Sequence, residues 1–481
     1  MKKLKLVLLW LGIFGFWTVN QASQAQTPIN GKVVDTQNRP IPGVVVNNGI
    51  NFTVTDQNGT YSLPTDIEKC RHISISVPAD YYIPVNELNL IEFYKPIKKE
   101  KSSDSYNFTL KKRERIEKKF TYLVFSDPQP KNDFHFVRFF TETVPDVKKF
   151  LNTKQGDVYG FVEGDIVSDA LHLYPLYTSA IASWNIPMMH VIGNHDFDQK
   201  FAAFSHTGNK KKYAEHEYES FFGPTDYSLN IGDIHIICMK DIDYLGNKKY
   251  NTRFLKEQLE WLKKDLSYVK PGSTVFLNVH VPLFNMLKDS QSNAKSVLSI
   301  LQKFNVHIFS GHTHFHKNEI LANNIYEHNV GAVCGFHWQG NSSRCGTPNG
   351  YMIVDVDGDN IRWHFKPTGH DLNYQFKIYK PGEFSSQAEY IVANVWDWDN
   401  TYKINWYEDG ILKGSMEQFS DIDQDFIDSG RVKVYRTDHL FRAKPSSTAK
   451  KIKIEVINRF GDTYNETIEL ENKYLEKMLT K

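Results

Sequence analysis

The sequence predicts an α/β core that lies between two small all-β domains. Three patterns along its 481 residues support this arrangement. Residues 28–112 contain short β-type runs separated by turn signals, and residues 370–481 return to the same patterning. Residues 120–368 instead alternate strand-like and helix-like segments. Alternation of this kind predicts a sheet covered by helices, whereas short strands at regular spacing predict β-sandwiches.

The bulk composition is that of an ordinary globular protein, with 41% hydrophobic residues, 23% charged residues and a formal net charge of +1. Because no basic excess is available to neutralise phosphates, the sequence indicates no nucleic-acid-binding patch. The 14% share of aromatic residues, most of them Tyr and Phe, fits a β-rich architecture. The oligomeric state is left open.

Residues 1–25 have the pattern of a secretory signal peptide. Residues 1–5 are basic, residues 6–19 are apolar, and Ser23 and Ala25 place small side chains where a signal peptidase requires them. The apolar run is shorter than the about 20 residues of a membrane-spanning helix, which favours cleavage over an uncleaved anchor. We therefore expect an exported protein, periplasmic, extracellular or at the cell surface, with no transmembrane span after cleavage.

The first β-domain carries a strong hairpin signal. Asn58-Gly59 lies between the alternating runs 52–56 and 60–63, which predicts two antiparallel strands joined by a tight turn. Over residues 28–65 the pattern resembles the carboxypeptidase-regulatory-like domain. That resemblance implies an accessory module without chemistry of its own.

Five strand-like runs within residues 120–368 end in polar side chains that can bind metals. The clusters that follow them are Asp127-Pro128-Gln129, Gly164-Asp165, Gly193-Asn194-His195-Asp196, His280 and Gly311-His312-Thr313-His314. Ligands of open α/β sheets bind beyond the carboxyl ends of the strands, so these clusters are expected to converge. A single Asp or His after a strand is usually structural, but five such clusters in succession indicate one site.

The five motifs, in this order, resemble those of the calcineurin-like metallophosphoesterase superfamily: D-x-H, G-D, G-N-H-[DE], a lone His and G-H-x-H. The resemblance implies a four-layer β-sandwich flanked by helices, with small all-β domains at its N- and C-terminal sides. It also implies a metal-dependent phosphoesterase, a hydrolase that acts on ester bonds. The implied cofactors are two divalent metal ions (manganese, iron or zinc), and the implied partner is a small phosphate-ester substrate.

The resemblance also assigns a role to each residue of the motifs. The implied ligands of metal one are Asp127, Gln129, Asp165 and His314. The implied ligands of metal two are Asp165, Asn194, His280 and His312, so that Asp165 bridges both ions. A hydroxide that bridges the ions would attack phosphorus, and His195 would act as general acid or stabilise the phosphoryl oxygens. Asp196 is expected to hydrogen-bond His195 and to set its orientation.

Two departures from the family's motifs narrow this interpretation. Gln129 stands where the family usually has His. Because an amide oxygen is a harder donor than an imidazole nitrogen, we expect metal one to favour manganese, iron or magnesium over zinc. The arginine of the Ser/Thr protein-phosphatase motif G-D-x-x-D-R-G is absent after Asp165, and Asp196 stands where that branch has Glu. Both observations disfavour the protein-phosphatase branch.

Further residues beyond the last motif are candidates for weaker roles. Candidate substrate contacts are His337, Trp338 and Arg344, with packing or surface charge as the alternative. His316 is predicted to lie at the surface. Cys334 and Cys345 could form a disulfide in an exported protein, or they could be two buried thiols.

Phosphodiesters are the favoured substrates, and phosphomonoesters are the alternative. A non-catalytic binding protein that keeps the same fold is a third possibility. A binding module, however, has no need of His195 and Asp196 beside a full set of metal ligands.

Overall fold

A computed structural model describes residues 27–98, 106–199, 213–430 and 435–470. The predicted signal peptide lies outside these ranges. Among the helices that the structure describes, none combines the length and apolar character needed to cross a membrane.

Two small sheets pack together at the N-terminal side. Their strands are β1 (Thr27–Asp35), β2 (Val45–Asn47), β3 (Phe52–Val54), β4 (Thr60–Thr65), β5 (His72–Ser76), β6 (Tyr94–Pro96) and β7 (Phe108–Leu110). One sheet has the order β4-β1-β7 and the other β3-β2-β5-β6. The predicted hairpin at Asn58-Gly59 is therefore wrong: the turn carries the chain from one sheet to the other. In β4 the residues Tyr61 and Leu63 point inward and their neighbours outward, as a half-buried strand requires.

The central region contains two larger sheets. Their strands are β8 (Lys119–Phe125), β9 (Asp157–Val162), β10 (Met188–His190), β11 (Tyr227–Ile231), β12 (Ile234–Cys238), β13 (Ile242–Gly246), β14 (Lys249–Thr252), β15 (Thr274–Asn278), β16 (Asn305–Ser310), β17 (Lys317–Ala322), β18 (Ile325–Asn329), β19 (Gly350–Asp357) and β20 (Asn360–Pro367). The first sheet has the order β10-β9-β8-β19-β20, and the second β11-β12-β15-β16-β18-β17. Strands β13 and β14 form a separate pair.

The inner strands of both central sheets run parallel. β8, β9 and β10 are parallel neighbours in the first sheet, and β12, β15, β16 and β18 in the second. Between the sheets, the Tyr122 ring lies 5.4 Å from the Phe276 ring and 5.7 Å from the Phe309 ring. Because the parallel strands share one direction, their carboxyl ends meet at one edge of the sandwich.

Short helices flank the sheets. They are α1 (Asp133–Arg138), α2 (Val144–Leu151), α3 (Tyr174–Ala182), α4 (His216–Phe222), α5 (Lys256–Leu266), α6 (Leu283–Met286), α7 (Ala294–Leu301) and α8 (Gln424–Asp428). In α5 the apolar residues Leu259, Leu262 and Leu266 recur at helical spacing and are buried. The predicted fold class, an α/β core with added β-domains, is confirmed.

The C-terminal module consists of two four-stranded sheets. Their strands are β21 (Phe376–Tyr379), β22 (Ile391–Val395), β23 (Lys403–Glu408), β24 (Ile411–Ser415), β25 (Glu417–Asp421), β26 (Thr437–Ala443), β27 (Lys451–Ile457) and β28 (Thr463–Glu469). The sheet orders are β21-β22-β26-β25 and β24-β23-β27-β28.

The C-terminal module is joined to the core by buried hydrogen bonds. His316 is fully buried, and its Nε2 lies 2.7 Å from Asp397 Oδ1 of this module. The predicted surface position of His316 is therefore wrong, because its partner comes from a distant segment of the chain. Cys345, whose carbonyl oxygen accepts a hydrogen bond from Asn394, is a buried free thiol, and so is Cys334.

Candidate active site

The predicted ligands of metal two converge around His280. Its Nε2 lies 3.4 Å from Asp165 Oδ1, 3.1 Å from Asn194 Oδ1 and 3.2 Å from His312 Nδ1. The other ring nitrogen, Nδ1, donates to the carbonyl oxygen of Glu163 at 2.7 Å. This bond directs the lone pair of Nε2 into the cluster, as in metal-binding histidines generally.

The predicted ligands of metal one lie on the other side of Asp165. His314 Nε2 is 3.4 Å from Asp127 Oδ1, and His314 Nδ1 donates to the carbonyl oxygen of Gly335 at 2.6 Å. Asp127 Oδ1 is buried and has no hydrogen-bond partner among the described residues. A bound cation would satisfy this oxygen, so the residues present fit a metal ion. Gln129 completes the cluster, with its amide nitrogen 2.7 Å from Asp165 Oδ2.

The backbone of the ligand loops is strained. Left-handed φ angles occur at several of the predicted ligands: Asp127 (46°), Gln129 (45°), Asp165 (49°), His312 (67°) and His314 (54°). Each such angle in a residue with a side chain costs on the order of 1–3 kcal/mol and is typical of functional sites. Gly193 allows the loops to approach closely, because a Cβ there would lie 2.1 Å from the backbone nitrogen of Asp165.

The buried carboxylates of Asp127 and Asp165 give the site a negative potential. Burial alone would raise the pKa of Asp165, but His280 and His195 outweigh it and hold that pKa below the usual carboxyl range. Burial alone would lower the pKa of His280, but the nearby carboxylates, Asp165 above all, raise it to about 10. The cluster therefore attracts positive charge, which suits a cation site.

His195 stands at the rim of the site with 31% of its side chain exposed. Its Nδ1 lies 3.0 Å from Asp169 Oδ1, and Lys248 pairs with the other oxygen of Asp169 at 2.7 Å. Burial opposes a charge on the imidazole, but Asp165 and Asp169 outweigh it and raise the pKa of His195. The predicted bond from Asp196 to His195 is therefore wrong, and Asp169 is the carboxylate that orients the ring.

Asp196 is directed into the protein instead. Its carboxylate accepts hydrogen bonds from the backbone nitrogens of Gly193 and Ile166 at 2.9 and 3.2 Å and from the Tyr174 hydroxyl at 3.0 Å. These bonds join the loop that follows β10 to the loop that follows β9. Burial, with the nearby charge of Asp165, raises the pKa of Asp196 to about 7.

The three candidate substrate contacts lie in different surroundings. Trp338 is 2% exposed, and its indole donates to the Pro128 carbonyl oxygen at 2.8 Å, so its role is packing and the predicted substrate contact is corrected. His337 is half-buried with Nδ1 at 3.0 Å from Gln129 Oε1. Arg344 is half-buried and donates to the Thr313 carbonyl oxygen at 3.0 Å.

A groove of about 530 Å³ opens beside the metal-two cluster and reaches the C-terminal module. Among its lining residues are His312, Phe315, Lys288, Arg344 and Tyr435. The Arg344 guanidinium lies 4.4 Å from the centre of the Tyr435 ring, so that the side chain spans the junction between core and module. The groove therefore continues the site away from the metal-two cluster.

Family models match almost the whole length of the chain in three consecutive stretches. Residues 27–113 match the N terminal of Calcineurin-like phosphoesterase, residues 120–316 match Calcineurin-like phosphoesterase itself, and residues 327–464 match the C terminal of Calcineurin-like phosphoesterase. No curated protein matches the chain. The likeness of residues 28–65 to carboxypeptidase-regulatory-like domains stays a prediction.

Similar solved structures include three distant ones. A dimetal phosphatase from Danio rerio is 14% identical with a TM-score of 0.37, and the alignment covers 52% of this chain and 96% of that chain. A 5'-nucleotidase from Candida albicans is 12% identical with a TM-score of 0.33, and 51% of each chain is covered. A metallophosphoesterase from Sphaerobacter thermophilus is 17% identical with a TM-score of 0.24, covering 52% of this chain and 89% of that one.

The central match contains all five of the predicted metal-binding motifs, from Asp127 to His314. The N-terminal match corresponds to the first β-rich part of the structure, and the C-terminal match runs from β18 of the core through most of the C-terminal module. Members of this family typically bind two divalent metal ions. The chain belongs to the calcineurin-like phosphoesterases and is a metal-dependent hydrolase.

Proposed function

We propose that this protein is an exported phosphodiesterase that uses two metal ions to hydrolyse small phosphate diesters. The observation that carries the proposal is the groove beside His312, which supplies space for a second ester substituent next to the metal cluster. A phosphate monoester has only one such substituent and would leave the groove unused. Manganese or iron is the proposed metal, because Gln129 offers an amide oxygen where an imidazole would favour zinc.

Two divalent ions, when bound, would supply Lewis acidity to the phosphate group and would lower the pKa of a nucleophilic water molecule. The ligands divide into a metal-one set around Asp127 and His314 and a metal-two set around His280, with one oxygen of Asp165 in each. Asp127 and Asp165 supply two negative charges against four positive ones. The loaded site therefore keeps about two positive charges to attract a phosphate anion.

His195 is the proposed proton donor. Asp169 holds Nδ1, so that Nε2 is the nitrogen directed to the leaving oxygen of the ester. Because Asp169 and Asp165 raise the pKa of His195, the ring is protonated over a wider pH range than a free histidine. The proton would pass from Nε2 to the leaving ester oxygen as its bond to phosphorus breaks, so that the group departs as an alcohol.

Arg344 is the proposed contact for a non-bridging phosphate oxygen or for the second ester substituent of the substrate. No carboxylate forms an ion pair with it among the described residues, and its Nε is buried without a hydrogen-bond partner. An unpaired guanidinium beside a metal site is well suited to bind phosphate oxygens.

Hydrolysis of bis-p-nitrophenyl phosphate and of p-nitrophenyl phosphate, each with added manganese, tests the proposal. We expect the diester to be hydrolysed with the larger kcat/KM. Preference for the monoester would overturn the diesterase assignment. No turnover of either ester with manganese, iron, zinc or magnesium would instead favour a binding protein that keeps the fold.

Arg344→Ala should raise the KM for the diester by about 10-fold or more, because a hydrogen bond to a charged group contributes about 1.5–3 kcal/mol. Metal content should not change, since Arg344 contacts the Thr313 carbonyl oxygen and no metal ligand side chain. Steady-state kinetics and elemental analysis are the measurements. Arg442→Ala is the matched control: Arg442 also stacks on aromatic rings, but it pairs with Glu417 on the C-terminal module. An equal KM change in both variants would contradict the assigned role.

A further inference from the structure

The amide of Gln129 is held at both ends. Its nitrogen Nε2 donates to Asp165 Oδ2 at 2.7 Å, and its oxygen Oε1 lies 3.0 Å from His337 Nδ1. The side chain is 3% exposed, so water does not compete freely for either end. In this arrangement the amide N–H, which has no lone pair for a cation, faces the carboxylate that should hold metal one.

Several hydrogen bonds hold the loop that carries His337 in place. His337 and Trp338 both have left-handed φ angles, of 53° and 61°. The Trp338 backbone nitrogen donates to the Cys334 carbonyl oxygen at 2.8 Å, and the Trp338 carbonyl oxygen accepts from Arg138 at 2.7 Å. The indole bond to Pro128 fastens the same loop to the residue before Gln129. These contacts bring an imidazole to the amide from outside the metal motifs.

A cation between Asp127 and Asp165 would repel the amide N–H and attract the amide oxygen. Rotation about the last side-chain bond of Gln129 exchanges the two ends of the amide. The nitrogen Nε2 would then meet His337 Nδ1, where the oxygen was before. A neutral imidazole can donate from Nδ1 in one tautomer and accept at Nδ1 in the other, so His337 satisfies the amide in either orientation.

We propose that His337 is a positioning residue for metal one: it accepts the N–H of Gln129 and thereby directs the amide oxygen to the metal. The pair Gln129–His337 thus takes the place of the single histidine that the family usually has at position 129. This inference rests on the two-metal assignment above. It explains why a half-buried imidazole lies next to a glutamine ligand at 3.0 Å.

Binding of Mn²⁺ alone, measured for the full chain by titration and elemental analysis, tests the proposal without any activity assay. In the chain with its natural Gln129, His337→Phe removes the hydrogen-bond acceptor for the amide. We expect one of the two Mn²⁺ sites to bind about 10–100-fold more weakly, which is the usual loss when a residue that orients a ligand is removed. His337→Asn keeps an acceptor and should restore part of the affinity. In a Gln129→His background, where a direct imidazole ligand needs no amide positioning, His337→Phe should change Mn²⁺ affinity less than about threefold.

Three outcomes would overturn the proposal. Unchanged Mn²⁺ affinity in His337→Phe would show that the imidazole does not act on the metal site. Equal weakening in both backgrounds would show that His337 acts independently of the amide, for example as a ligand itself. Equal weakening by Trp338→Phe, which removes the indole hydrogen bond from the same loop to the Pro128 carbonyl oxygen, would assign the effect to loop packing. A parent chain that binds two Mn²⁺ ions but hydrolyses no ester would contradict the proposed function and leave this inference standing.

Discussion

Replacing His195 with alanine should lower kcat by about 10²–10⁴-fold, the usual contribution of a general acid, while both metal ions stay bound. The ring contacts Asp169, and only the backbone nitrogen of His195 donates to the proposed metal ligand Asp165, at 2.8 Å. Alanine keeps that backbone bond. Steady-state kinetics with an alkyl phosphodiester, together with elemental analysis of the purified variant, would measure both effects.

Loss of either metal from His195→Ala would contradict this assignment, since it would place the ring among the ligands. A more activated leaving group provides a further check. The activity lost with the alanine variant should be smaller for a p-nitrophenyl ester than for an alkyl ester, because p-nitrophenolate needs less help from a proton donor. Equal losses for both esters would exclude proton donation by His195.

Asp169→Asn should shift the alkaline limb of the kcat profile to lower pH. The charge of Asp169 stabilises the imidazolium and raises the pKa of His195 against the effect of burial. Removing that charge lowers the pKa, so the protonated form is lost at a lower pH as the pH rises. The pH dependence of kcat measures the shift. An alkaline limb at the same pH or at a higher pH would show that Asp169 does not set the protonation of His195.

Asp165→Asn should abolish most activity, by about 10³-fold or more, because several kcal/mol of charge stabilisation are lost with the metals. Asp165 is the carboxylate with one oxygen in each cluster: Oδ1 lies near His280, and Oδ2 lies beside Gln129. Asparagine has nearly the same shape but carries no charge and offers only one oxygen. We therefore expect at least one of the two metals to be missing by elemental analysis.

Asp169→Asn is the matched control for Asp165→Asn, since it removes a carboxylate from the same loop. Asp169 pairs with His195 and Lys248, so its loss should leave both metals bound. Full metal content in Asp165→Asn would contradict the bridging role. Loss of metals from both variants would show that the loop, and not the individual ligand, controls binding.

Several features of the fold depended on contacts that a linear pattern does not contain. Asn58-Gly59 has the composition of a hairpin turn, yet β3 pairs with β2 and β4 pairs with β1. Turn residues determine that the chain reverses; they do not determine which sheet the next strand enters. The buried position of His316 likewise depends on Asp397, which lies 81 residues away in the sequence.

The same distinction between sequence pattern and tertiary contact applies to the active site. The sequence by itself determined the motifs from Asp127 to His314, because metal chemistry restricts the residue types and parallel strands end at a common edge. Only the tertiary structure decided the partners of those residues. Asp196 adjoins His195 in sequence but points into the protein, whereas Asp169 reaches the ring from another loop. The Gln129–His337 pair joins residues 208 positions apart. Such contacts depend on how loops pack against each other, and side-chain direction within a loop does not follow from spacing along the chain.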